Sequence, residues 1–137
     1  MVTVKRLIRV EWGDCDPAEI VFYPNYFAWF DASTTHLFAS VGLLPGRFFA
    51  EFGVKGFPLL EASAKFYVAS GFGDEIEAES GVVEWGNKTF RVTHRFRRGG
   101  ELLLEGSETR IFVVADSASG RLKSVPVPDE VKRRLGG

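Results

Sequence analysis

Between Pro24 and Val41 the chain carries one long helical segment with apolar residues on more than one side, and beyond residue 57 it alternates with period two. Pro24 suits a first helical turn, where its missing N–H has no partner to lose, and Gly42 and Pro45 end the run. At about 100° per residue, Tyr26, Phe27, Phe30, Leu37, Phe38 and Val41 form one stripe, while Trp29, Ala32 and His36 cluster on another side. A short second helix is expected over 46–52. Val4, Ile8, Val10 and Trp12 share one face of a first strand, which Gly13-Asp14-Cys15-Asp16-Pro17 breaks with turn chemistry. Leu60 to Val68, Ile76 to Trp85, Phe90 to Phe96 and Leu102 to Val114 read as further strands. The turns Gly71-Phe72-Gly73-Asp74, Gly86-Asn87 and Gly99-Gly100 join them as antiparallel hairpins. A last short strand over 122–127 and a frayed helix over 128–135 complete the order.

A single apolar helix beside such a sheet has to be covered by it. The expected architecture is α+β: a curved antiparallel sheet of five or six strands wrapped around one long central helix. No repeat, low-complexity tract or linker divides the chain, so residues 1–137 are expected to form one domain. Thirteen Phe, three Tyr and three Trp make 14% of the residues aromatic, more than one small core needs, which points to contacts between subunits.

Composition narrows the function classes. Seventeen basic against eighteen acidic side chains leave a net charge of −1, without the basic excess of a nucleic-acid binder. No apolar run reaches the roughly 20 residues of a membrane span, and no signal-peptide core follows the first residues, so the expected location is the cytoplasm. One cysteine, Cys15, closes no internal disulfide. Phosphate-cradling glycine motifs, a serine-hydrolase elbow and a paired-histidine metal site are all absent, so no cofactor or metal is expected. His36 and His94 read as structural or exposed side chains.

The informative segment is Gly13-Asp14-Cys15-Asp16-Pro17-Ala18-Glu19-Ile20-Val21-Phe22-Tyr23-Pro24-Asn25-Tyr26, an acidic loop feeding the start of the aromatic helix. A helix N-terminus carries unpaired N–H groups and partial positive charge, so it can polarise a carbonyl. A carboxylate beside it can act as nucleophile or general base toward that carbonyl. Asp14 and Asp16 are equally good turn formers and caps, and the residues alone leave both readings open.

The string Asp-Cys-Asp-Pro-Ala, followed by Ile-Val and then Tyr-Pro-Asn-Tyr, resembles the opening motif of the 4-hydroxybenzoyl-CoA thioesterase family of hot-dog-fold proteins. Trp29-Phe30-Asp31-Ala32, Glu84-Trp85 with Lys88 and Phe90, Arg110-Ile111-Phe112-Val113 and Val125-Pro126-Val127-Pro128 extend the resemblance over most of the chain. It implies hydrolysis of an acyl-CoA, with an aromatic acyl group such as hydroxybenzoyl as first guess and short or medium aliphatic groups next. It places the catalytic carboxylate on Asp16 and the carbonyl-polarising backbone N–H on Tyr23. It places coenzyme-binding cations on Lys88, Arg121 and Lys123, with Arg97-Arg98 as the rival pair. It also implies a homo-oligomer, a dimer as the active unit and a tetramer overall, with the site between two subunits.

Cys15, set between two acids, reads as a small packing residue. Asp31, about 40° off the core stripe, reads as a buried partner of the catalytic loop. The sequence departs from the family at Glu19, where glycine is common, and Glu19 is therefore a possible second carboxylate. The alternative function is a hot-dog module that binds acyl-CoA, or only assembles, without turnover; a hydratase would need an Asp/His pairing that is missing.

Overall fold

The computed structural model describes all residues from Met1 to Gly137. In chain order the elements are β1 (Thr3–Arg9), α1 (Pro24–Ser40), α2 (Arg47–Glu51), β2 (Leu59–Phe66), β3 (Glu75–Trp85), β4 (Thr89–Arg98), β5 (Glu101–Ile111), β6 (Val113–Ala115), β7 (Leu122–Ser124) and α3 (Asp129–Arg134). β1 to β5 build one antiparallel sheet in the order β1-β3-β4-β5-β2, and β6 and β7 form a separate ribbon. The β4–β5 hairpin turns through Gly99 and Gly100 at φ of 56° and 87°, the double left-handed backbone that a two-residue hairpin requires. Register shifts interrupt β3–β4, β4–β5 and β2–β5, and such bulges bend strands and raise their twist. The curved sheet receives α1 on its concave face, the α+β hot-dog arrangement the sequence implies, with five strands in the main sheet.

Two apolar clusters hold the helix. Tyr26 and Phe30 pack with Ile8, Ile76, Phe96 and Leu104 around its first half. Leu37 and Phe38 pack with Phe48, Phe90, Phe112 and Val131 around its second. A band of buried polar residues crosses the molecule between the clusters: Ser33 and Thr34 on α1, Ser80 on β3, His94 on β4, Glu108 and Arg110 on β5. Gly106 makes the seat for Phe30. A Cβ there would lie 2.2 Å from the Phe30 ring, which instead lies flat on His94 at 4.7 Å between ring centroids.

Several sequence expectations change. β1 ends at Arg9, and Trp12 is 64% exposed rather than core, because the Gly13-Asp14 turn rotates it out of the strand's alternation. The run from Leu102 to Val114 breaks at Phe112, whose burial in the second cluster redirects the chain into the ribbon. The last strand stops at Ser124 and pairs with β6 rather than with the main sheet. The terminal helix is docked, not frayed: Val131 and Leu135 are buried in the second cluster. β2 alternates as expected, yet only Ala64 and Phe66 reach the first cluster, and Leu59, Leu60 and Phe66 stay about half exposed. Opposite the core stripe, Trp29 is half-buried against Tyr26, and Ala32 and His36 are exposed.

Candidate active site

Between β1 and α1 the chain makes one 3-10 turn and then a tight hairpin. Asp14 closes the turn by accepting the Glu11 N–H on its carboxylate at 2.8 Å. The Phe22 N–H donates to the Asp14 carbonyl at 2.8 Å and the Asp16 N–H to the Ile20 carbonyl at 2.9 Å, so residues 14–22 double back on themselves. At the tip Asp16 Oδ1 accepts the Ala18 N–H at 2.8 Å, and the Glu19 N–H donates to the Asp16 carbonyl at 2.8 Å. Asp16 is thus a turn former through one oxygen, which leaves Oδ2 without a partner in the chain. Cys15 is half-buried and packs against the first cluster.

The tip also explains the departure at position 19. Glu19 is the one non-glycine residue with left-handed backbone, at φ 67°. Holding an L-residue there costs roughly 1–2 kcal/mol, whereas glycine adopts it freely. What the position demands is a backbone conformation, and the Glu19 side chain sits exposed.

The hairpin delivers the chain straight into α1. Tyr23 caps the helix with helical backbone angles, Pro24 follows as its first residue, and the Asn25 amide donates to the Asp14 carbonyl at 2.9 Å. The Tyr23 N–H has no acceptor within the chain. A free donor at the positive end of a helix is therefore held beside the Asp16 turn. Next to it opens a cavity of about 220 Å³, lined only by apolar or aromatic side chains that include Ile20, Tyr23, Tyr26, Phe66 and Val68. At its floor the Tyr26 phenol meets Ser70 Oγ at 2.7 Å; burial raises that phenol's pKa, against the lowering effect of the Ser70 contact.

The basic candidates lie elsewhere. Lys88 is half-buried and donates to Ser124 Oγ at 3.3 Å, with Lys123 next along β7 and exposed Arg121 just before it. The Lys88 carbonyl accepts the N–H of Phe112, which packs on Leu37 and Phe38 in the last turns of α1. A 17-residue helix is about 25 Å long. One chain therefore brings Asp16, Glu19 and Tyr23 together at one end and Lys88, Arg121 and Lys123 together at the other. The rival pair is engaged: Arg97 faces Glu79 at 3.7 Å, and Arg98 holds Asp74 at 2.8 Å and Glu101 at 2.9 Å.

Asp31 needs correcting. It is 66% exposed and bonded to Arg110 at 2.7 Å, about two turns along the helix from the hairpin and out of its reach. Arg110 in turn holds Glu108 Oε2 at 2.7 Å and the Phe57 carbonyl at 3.2 Å. Glu108 Oε1 takes the Thr34 hydroxyl and His94 Nε2, the latter at 3.0 Å, and His94 Nδ1 meets Ser80 Oγ at 2.7 Å. These partners give His94 its proton on Nε2 and leave Nδ1 to accept from Ser80. Burial alone would raise the Glu108 carboxyl pKa, but the His94 hydrogen bond and the Arg110 charge hold it below the usual range. This layer is faint in the sequence. Its trace is the set of inward positions of β5, where Glu108 and Arg110 stand between Leu104 and Phe112 in an otherwise apolar alternation.

Comparison with known proteins places the chain in a family. The family model of the thioesterase-like superfamily matches residues 10–135. The 4-hydroxybenzoyl-CoA thioesterase of Pseudomonas sp. (strain CBS-3) is 36% identical over 126 residues, 88% of each chain. Its solved structure superposes with a TM-score of 0.87 at 33% identity, covering 96% of this chain and 98% of that one. A mutant 4-hydroxybenzoyl-CoA thioesterase complexed with 4-hydroxybenzoyl-CoA gives a TM-score of 0.90 at 31% identity, covering 98% and 99%. A family match over residues 10–135, with a relative 36% identical and a superposable fold over nearly the whole length, has one meaning: this chain belongs to the thioesterase-like superfamily and is a hot-dog-fold thioester hydrolase.

Proposed function

We propose that residues 1–137 act as a single hot-dog domain that hydrolyses an acyl-CoA, with an aromatic acyl group such as hydroxybenzoyl as the first candidate. The observation that carries this is the unpaired Tyr23 N–H at the head of α1, reached directly from the hairpin whose tip leaves Asp16 Oδ2 free, with an apolar cavity alongside Tyr23. In the proposed reaction the thioester carbonyl oxygen accepts the Tyr23 N–H, and the helix end stabilises the negative charge that develops there. Asp16 Oδ2 attacks the carbonyl carbon, or takes a proton from a water that does. The carbon–sulfur bond breaks and coenzyme A leaves as thiolate, which gains a proton. On the first route water then cleaves the acyl–Asp16 anhydride, releasing the free acid and restoring the carboxylate; on the second the acid forms directly. Support for the substrate class comes from the 36% identical relative, a 4-hydroxybenzoyl-CoA thioesterase. A thiol-release screen across aromatic and aliphatic acyl-CoAs tests it. Turnover of at least one aryl-CoA is expected; binding without thiol release would establish the non-catalytic acyl-CoA module instead.

The unit we infer is at least a dimer, assembled as a tetramer. β2 is an open edge strand that exposes Leu59, Leu60 and Phe66, with Tyr67 just beyond its end, and an apolar open edge invites pairing with a second copy. A two-fold partner could also bring its Lys88, Arg121 and Lys123 to the Asp16 hairpin, uniting groups that one chain keeps apart. Sedimentation at micromolar concentration should show no monomer; a monomeric wild type that turns over would remove the shared site.

Lys88→Ala should raise KM for acyl-CoA and leave kcat nearly unchanged, because a phosphate contact remote from the carbonyl binds ground and transition states alike. The increase should shrink at high salt. An unaltered KM at low salt takes Lys88 out of the site and moves the test to Arg121 and Lys123.

A further inference from the structure

The segment from Ala69 to Asp74 contacts the returning arm of the hairpin, the first turn of α1 and the chain just after β1 without belonging to the proposed catalytic machinery. Its Ser70 carbonyl accepts the Val21 N–H at 2.9 Å, and Ile20 bridges Gly71, so the returning arm of the hairpin is laid against it. Its Ser70 hydroxyl, 2% exposed, meets the Tyr26 phenol at 2.7 Å and so fastens the first turn of α1. Its far end grips the residue that follows β1: the Val10 N–H donates to the Asp74 carbonyl and the Gly73 N–H to the Val10 carbonyl, both at 2.9 Å.

Two features keep this segment in shape. The Asp74 carboxylate accepts the Gly71 N–H at 2.9 Å and Arg98 Nη1 at 2.8 Å, and Arg98 reaches Glu101 with its other nitrogen. The Gly71 N–H, with Arg98, holds the Asp74 carboxyl below its usual range, so the clamp stays charged at neutral pH. The second feature is steric. Gly71 has no left-handed backbone to explain its glycine, yet a Cβ there would lie 2.8 Å from the Glu19 carbonyl oxygen. Glycine at 71 is what lets the Asp16–Glu19 tip sit as close to the sheet as it does.

From this geometry we infer that Gly71 and Asp74 are positioning residues for the reaction: together they set where the Asp16 carboxylate stands relative to the Tyr23 N–H. This rests on the roles proposed above for Asp16 and Tyr23. Reacting groups must be held to within about half an ångström of the productive geometry, and a displacement of about 1 Å can cost on the order of 10²-fold in rate. An added methyl group pressed against a backbone oxygen has to move one of the two chain segments.

The test compares Gly71→Ala, Asp74→Ala and Asp74→Asn, each alone and combined with Asp16→Asn, by kcat, KM and Tm. Gly71→Ala should lower kcat by roughly 10–100-fold with KM close to wild type. Asp74→Ala should lower kcat less, and Asp74→Asn should restore most of it, because the amide oxygen still accepts the Gly71 N–H. Neither position should add to the loss already caused by Asp16→Asn, since a misplaced base and a missing base have the same consequence. Unchanged kcat in Gly71→Ala and Asp74→Ala, beside an inactive Asp16→Asn, overturns the positioning role and leaves Asp16 in place. So does a loss that simply follows Tm or multiplies with that of Asp16→Asn. Normal turnover in Asp16→Asn itself is the distinct failure of the underlying reading. Should Gly71→Ala not fold, the two Asp74 variants decide the question alone.

Discussion

Asp16→Asn is expected to lower kcat for thioester cleavage by about 10²–10⁴ while acyl-CoA binding persists. The substitution separates the two jobs that the structure gives this side chain. Asn can still accept the Ala18 N–H at the hairpin tip, since Asp and Asn rank together as caps and Asx-turn formers, so the loop should keep its shape. What disappears is the charge and basicity of the free oxygen. Thiol release by wild type, Asp16→Asn, Asp14→Asn and Glu19→Gln, with ligand affinity measured alongside, gives the answer. Asp14 spends its carboxylate on the Glu11 N–H, so Asp14→Asn should cost far less. Near-normal turnover in Asp16→Asn with a large loss in Glu19→Gln would mean that the second carboxylate carries the chemistry.

Glu108→Ala should cost about 3–5 kcal/mol of stability, the range found when one partner of a buried ion pair is removed. For a chain of this length that is a fall in Tm of roughly 10–17 °C. The reason is what it leaves behind: the Arg110 guanidinium, buried and keeping only the exposed Asp31 as acid partner, and the His94 Nε2–H without its acceptor. Arg110→Met in the same chain should return part of the loss, because a buried charge that has lost its buried partner costs more than its absence. A Glu108→Ala variant that melts with the wild type would show the layer to be dispensable. The pH dependence follows in sign. A carboxyl whose folded pKa is depressed contributes stability that is fully present above its unfolded value, about 4.3, and is lost as pH falls through the folded value. Wild-type stability should therefore decline on acidification below about pH 4.3, and Glu108→Gln should flatten that decline.

The layer also bears on how the two ends of the molecule stay in register. It joins α1 to β3, β4 and β5 midway between the hairpin end and the basic end, through directional bonds that apolar packing cannot supply. Buried polar groups of this kind gain little net stability but admit few alternative alignments. Sliding α1 by one turn along the sheet would strip Thr34 from Glu108.

Local rules made much of this protein legible. Period-two alternation and glycine-marked turns placed β3, β4 and β5 and their hairpins, because side-chain direction in a strand and the φ that a two-residue turn demands are local properties. The Pro24 start and the Tyr26, Phe30, Leu37, Phe38 stripe placed α1 for the same reason. The acidic string from Asp14 to Tyr26 marked the site, since hairpin, cap and helix head are contiguous in the chain. What periodicity reports is which residues share a face; it does not report whether anything covers that face. Only the tertiary structure decided that β1 lies beside β3 and β2 beside β5, that Trp12 and Leu60 stay exposed while Val131 and Leu135 are buried, and that Asp31 answers to Arg110 rather than to the catalytic loop. It alone decided that Gly71 must be bare for the Glu19 carbonyl and Gly106 for the Phe30 ring. Each of those outcomes depends on atoms brought together from distant parts of the chain, and no window along the sequence contains both partners.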